Sequence, residues 1–246
     1  MNMKKKFVAV VCILLILLFL GYFGYNLFKQ KENYAEDILI AEVINSDEDV
    51  DLTKVISDLR KNVNNEIVGW LKISDTKVNY PVLKRDDNDY YINHNYKGEE
   101  TNSGAIFLDK AVDLDLPSSN FLIYGHNNLD GSGDFAPLLD YRDLEFYNTH
   151  KRIIFATDKE KMEFEIISVF YSKVYYKSQK NVFRYYYFIN AQTEEEYDSF
   201  VQNAKNASIF DIETTARYGE QLLTLSTCEY SKENGRFVIV AKKINN

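Results

Sequence analysis

"QLLTLSTCEYSKENGRFVIVAKK", residues 221–243, reads as two apolar strands around a polar turn. The run "LLTLST" alternates in the manner of a half-buried strand, "EYSKENG" is made of turn formers, and "RFVIVAKK" opens a second strand rich in branched residues. An antiparallel pair of this kind would return Arg236 to the side of Cys228. A cysteine at the exit of a strand lies at the rim of a sheet, where it can be partly exposed.

The same pattern recurs along the chain. From residue 67, "IVGWLKI", "VNYPVL", "GAIFLD", "NFLIYG", "RIIFAT", "MEFEIISVFYSKVYY" and "VFRYYYF" precede the two runs already quoted, and groups such as "SDT", "NNLDGSGD" and "TDKEK" separate them. Eight or so short strands joined by turns predict an antiparallel barrel or sandwich. Two segments follow a helical period instead. "DVDLTKVISDLRKNVNNE" carries Leu52, Val55, Ile56, Leu59 and Val63 on one stripe; "TEEEYDSFVQNAKNAS" has acids in its first turn and Tyr197, Phe200, Val201 and Ala204 on one face. The first is expected to lie on the domain, the second between late strands.

The N-terminus reads differently. Lys4, Lys5 and Lys6 precede a 22-residue uncharged run from Phe7 to Phe28, long enough to cross a hydrocarbon core of roughly 30 Å as a helix. It exceeds the core of a signal peptide, and no small-x-small cleavage site follows. The expected organisation is a cytoplasmic tail (1–6), a transmembrane anchor (7–28), a polar stalk (29–49) and one exported domain (50–246), oriented by the lysines. Beyond the anchor, 26 Lys and Arg face 37 Asp and Glu, a balance that argues against nucleic acid as a partner.

Cys12 falls within the apolar run, so Cys228 is the single cysteine of the exported part. A lone exported cysteine is an intermolecular partner, a buried small hydrophobe or a working thiol. Thiol chemistry needs a base or cation nearby, because a free thiol near pKa 8.5 is mostly protonated at neutral pH. His126 in "NFLIYGHNN" ends a strand as Cys228 does, whereas His94 and His150 sit in polar loops. Arg236 could lower the thiol pKa and stabilise an oxyanion, or form an ordinary strand-edge salt bridge. No HExxH, CxxC, EF-hand, phosphate-loop or GxSxG pattern occurs, so no metal or cofactor is expected.

Taken together, "TLSTC", Arg236 in "GRFVIVAKK" and "YGHNN" a hundred residues upstream resemble the TLxTC, His and Arg signature of the sortases, nearest to class B. "IVGWLKISDTKVNYPVLKRDDNDYYINHNYKGEETNSGAIFLD" and "GHNN…FAPLLDY" extend the resemblance over about residues 50 to 244. It implies an eight-stranded β-barrel with N-terminal helices and an inserted helix, behind one transmembrane helix. It implies Cys228 as nucleophile, His126 as general acid and base, and Arg236 as oxyanion and substrate cation. Ser226, Thr227, Glu229, Tyr124 and Asn93 would line the groove for a sorting signal. The implied reaction is two-step acyl transfer from an NPxT- or PPxT-like signal of a surface protein to the amine of a cell-wall precursor such as lipid II. Pilin polymerisation, simple hydrolysis and a non-catalytic receptor on the same barrel are the alternatives.

Overall fold

Eight strands close into a barrel in the spatial order β1-β2-β3-β4-β7-β8-β6-β5, with β1 returning to β5. They are β1 (Ile67–Lys72), β2 (Asn79–Leu83), β3 (Ile106–Leu108), β4 (Asn120–Tyr124), β5 (Arg152–Thr157), β6 (Lys161–Lys173), β7 (Leu222–Cys228) and β8 (Gly235–Lys243). The structure is a computed structural model describing residues 17–25, 40, 50–116, 118–131 and 133–244. The chain divides into two units, Met1–Val50 and Asp51–Asn246, and the barrel belongs to the second. Residues 17–25 are helical, and among the described residues no helix is long and apolar enough to cross a membrane. The expected tail, the rest of the 7–28 anchor and, save Ile40, the stalk lie outside the described residues.

The sequence reading requires two corrections. The barrel is not wholly antiparallel: β2–β3 and β4–β7 are parallel pairs. The aromatic run "VFRYYYF" is not a strand either. Residues Tyr185–Tyr187 form a 3-10 turn in which Tyr185 is buried against Phe170, their rings edge-on at 5.9 Å. Aromatic content suits a strand only where a pleated, half-buried surface receives it. Here the rings pack as a cluster instead.

Both helices follow their stripes. Asp51 caps α1 (Leu52–Asn62) by accepting from the Lys54 amide at 3.3 Å, and Leu52, Val55, Ile56 and Leu59 are buried. Helix α2 (Leu144–Thr149) is a short turn capped by Asp143. Thr193 caps α3 (Glu194–Ala207), whose first turn holds Glu194, Glu195 and Glu196, where acids favour the positive end of the helix. Its apolar face is buried on β6, and the buried Ser168 hydroxyl of that strand donates to the Ala204 carbonyl at 2.6 Å. On β1 Trp70 is fully buried, its indole N–H donating to Asn79 Oδ1 at 2.6 Å.

The parallel β4–β7 pair positions the site. Its register sets Tyr124 opposite Ser226, so both strands leave the sheet at the same end. There the β7–β8 register sets Cys228 opposite Arg236, and the turn between them is closed by the Glu229 amide donating to the Gly235 carbonyl at 3.1 Å.

Candidate active site

Three strand ends meet at one cleft of about 570 Å³. Cys228 ends β7, Arg236 is the second residue of β8, and His126 follows β4 by two residues; all three line the cleft and are half-buried. Cys228 is a free thiol. Among the described residues it makes no side-chain hydrogen bond, and no carboxylate pairs with Arg236. The strand-edge salt bridge that the sequence allowed for Arg236 is therefore absent from the described part. Its guanidinium instead donates to the Gly235 carbonyl at 2.8 Å, and its charge lines the cleft with no counter-ion among the described residues.

His126 is held from three sides. Its Nε2 lies 2.6 Å from the Ile92 carbonyl oxygen, which can only accept, so Nε2 carries a proton and Nδ1 is left to exchange one. Its own carbonyl accepts from the Phe135 amide at 2.8 Å. Gly104, at φ +60°, brings its backbone so close that a Cβ there would stand 2.7 Å from His126 Cδ2 and 2.6 Å from the Ile92 oxygen. Only glycine suits that conformation and that approach.

Four hydrogen bonds stitch the histidine segment to the cysteine strand. The Gly125 amide donates to the Ser226 carbonyl at 3.2 Å, and the Thr227 hydroxyl to the Gly125 carbonyl at 2.8 Å. The Asn127 side chain donates to the Cys228 carbonyl at 3.0 Å, and the Tyr230 hydroxyl to the Asn127 carbonyl at 2.6 Å. Such support ties the His126 segment to the strand end that carries Cys228.

Of the five expected groove residues, Tyr124, Ser226 and Thr227 line the cleft. Asn93 is exposed outside it, bonded to the neighbouring His94 ring at 3.0 Å, and the Glu229 carboxylate is engaged by the Ser231 amide and hydroxyl. Tyr124 donates to the buried Asp109 carboxylate at 3.0 Å, which also accepts from Asn88 at 2.8 Å. Burial, then the adjacent Asp109 charge, push the Tyr124 phenol well above its ordinary range, so it stays a donor.

The sequence reading missed Ile92, Phe107 and Val174, which with Tyr185 and Tyr186 of the aromatic stretch form the apolar and aromatic wall of the cleft. Tyr185 is buried and shares a 2.7 Å hydrogen bond with the Ser226 hydroxyl, two residues before the thiol. Only the aromatic density of 183–188 hinted at this wall. His94 and His150 serve structure: His94 stacks on Tyr90 at 3.9 Å, and His150 stacks on Phe146 at 4.0 Å.

A family model described as the sortase domain matches residues 71–244. Sortase B of Listeria monocytogenes is 31% identical, covering 93% of this chain and 92% of that protein. A Staphylococcus aureus sortase B–substrate complex superposes with TM-score 0.69 at 28% identity, over 88% of this chain and 94% of that one. A sortase B complexed with triglycine gives TM-score 0.73 at 28% identity, over 88% and 99%.

Proposed function

Because the chain belongs to the sortase family, with relatives of the B class across nine-tenths of its length, we propose that it is a transpeptidase working through Cys228. The convergence of Cys228, His126 and Arg236 at the common end of β4, β7 and β8 carries this reading. Cys228 gives its thiol proton to His126 Nδ1 and its sulfur adds to the threonine carbonyl of a sorting signal, and the oxyanion that forms is met by the Arg236 charge. As the tetrahedral species collapses, the C–N bond breaks and the proton on His126 Nδ1 passes to the departing amine. A thioacyl enzyme remains. An incoming amine gives its proton to Nδ1 and attacks the thioester, and the Cys228 thiolate that leaves takes that proton back, so the ring ends as it began.

The substrate in this proposal is a surface protein with an NPxT- or PPxT-like signal, and the acceptor is a wall-precursor amine of the lipid II kind. A related sortase B bound to triglycine supports a glycine amine in the second step. The chain is further proposed to be held in the cell membrane by residues 7–28, with its N-terminus cytoplasmic and the barrel outside.

Incubating the full chain in detergent with an NPxT peptide, with and without triglycine, tests the chemistry. Expected are a thioacyl adduct on Cys228 by mass spectrometry and a peptide–triglycine product, both lost in Cys228→Ala. Products formed with water at every triglycine concentration would overturn transfer in favour of hydrolysis. Recovery of the chain in the soluble rather than the membrane fraction would overturn the anchor.

A further inference from the structure

Residues 171–188, "YSKVYYKSQKNVFRYYYF", hold four cations and no acid, in a chain of net charge −8. The segment leaves β6 beside the site, where Ser172 pairs with Arg236, and its Val174, Tyr185 and Tyr186 wall the cleft. Its outer side is a folded surface. The Val174 amide donates to the Asn234 carbonyl at 2.9 Å and the Tyr175 amide to the Tyr186 hydroxyl at 3.0 Å. Arg184 donates to the Tyr176 and Gln179 carbonyls at 2.8 and 2.7 Å, and both Lys173 and Arg184 lie within 6 Å of the Tyr175 ring. Exposed on this frame are Val174, Tyr176 and Tyr187, the last two 60% and 70% accessible, together with Lys177 and Lys180. The adjoining β7–β8 turn adds exposed Lys232; Glu233 is engaged by the Tyr176 hydroxyl at 2.8 Å, and Glu229 by Ser231.

Exposed tyrosines interleaved with Lys177, Lys180 and Lys232, against Glu233 held at the rim by Tyr176, are what an anionic bilayer surface attracts: rings at the headgroup level, ammonium groups on lipid phosphate. We propose that this surface docks the barrel onto the anionic lipid bilayer in which the chain is anchored, setting the mouth of the cleft at the headgroups. The inference rests on the membrane anchor proposed above. A stalk of 21 residues extends at most roughly 70 Å. The tethered barrel therefore samples its own membrane at high effective concentration, and a weak surface suffices.

The full chain carrying Tyr187→Trp is reconstituted into vesicles of brominated phosphatidylglycerol or brominated phosphatidylcholine. Trp70, fully buried, is the internal unquenched reference. Expected is quenching of the new tryptophan in anionic vesicles only, relieved by salt. Lys177→Gln with Lys180→Gln should lower the docked-to-undocked ratio about twenty-five-fold, about five-fold per charge, while peptide–triglycine transfer in detergent stays intact. Failure to co-float with either vesicle overturns anchor and surface together. Co-flotation with equal quenching in both lipids, or anionic quenching that survives the double substitution, overturns the surface alone. So does quenching absent from anionic vesicles while a soluble anionic wall polymer shifts the emission.

Discussion

The imidazole of His126 donates from Nε2 to the main-chain carbonyl of Ile92 across 2.6 Å, and Gly104 backs that contact with φ +60°. The pair fixes which ring nitrogen is tied down and which is left to exchange a proton. Gly104→Ala is therefore expected to fail in two ways. Its Cβ would press on the Ile92 oxygen and the His126 ring, and its backbone would be strained by about 1–2 kcal/mol. A misplacement of about 1 Å in a proton-transfer group costs on the order of a hundred-fold in rate. Steady-state kinetics with the peptide and triglycine should show kcat falling far more than KM rises; unaltered kcat in a folded variant would remove Gly104 from the argument.

Arg236 has no carboxylate partner among the described residues and lies opposite the thiol. Arg236→Gln should slow thioacyl formation by about 10²–10³, the usual loss of one oxyanion donor. Arg236→Lys should recover part of it, because an ammonium restores charge without the planar fork. Rapid-quench measurement of the acyl-enzyme separates this from slow release. Equal rates for Gln and Lys would show that charge plays no part.

Tyr185→Phe removes one oxygen from a buried pair. The Ser226 hydroxyl, 1% exposed, loses its 2.7 Å partner, and an unsatisfied buried hydroxyl costs about 1–3 kcal/mol. Denaturant unfolding should show a lower midpoint with an unchanged slope.

Asp134 follows the glycine that backs the His126 carbonyl, and burial raises its carboxyl to about 6. A folded pKa above the unfolded value near 3.8 means that the stability it contributes is complete below about pH 4 and lost as pH rises through about 6. Asp134→Asn should accordingly stabilise the protein at pH 7 by about 1 kcal/mol after allowance for its partial exposure. That advantage should vanish towards pH 4. Melting curves of both proteins from pH 4 to 8 check this, and parallel curves would refute it.

The strands were legible because their apolar runs are short, branched and bounded by turn formers. The helix after residue 193 was legible from its acids and one stripe. Parallel pairing was not. β4 and β7 lie a hundred residues apart in sequence, and nothing in either names its neighbour, so the likeness of "YGHNN" and "TLSTC" as strand ends stopped short of contact. "VFRYYYF" misled because aromatic residues suit strands and clusters alike. The Ile92 carbonyl could not be read at all, since main-chain acceptors leave no mark on residue type. Asn127, which ties the histidine segment to the Cys228 carbonyl, was visible only as a polar residue in a turn.

The place of β8 between β7 and β6 bears on how the molecule is made. Synthesis runs from N- to C-terminus, so seven strands exist before the one that closes the ring. Until residues 235–243 have emerged, β6 and β7 each keep a bare edge, the thiol has no cation across from it, and the nascent chain is open. In the proposed reaction Cys228 thus meets its cation in the same step that finishes the barrel, and a ribosome stalled before β8 holds a product that can neither seal itself nor acylate.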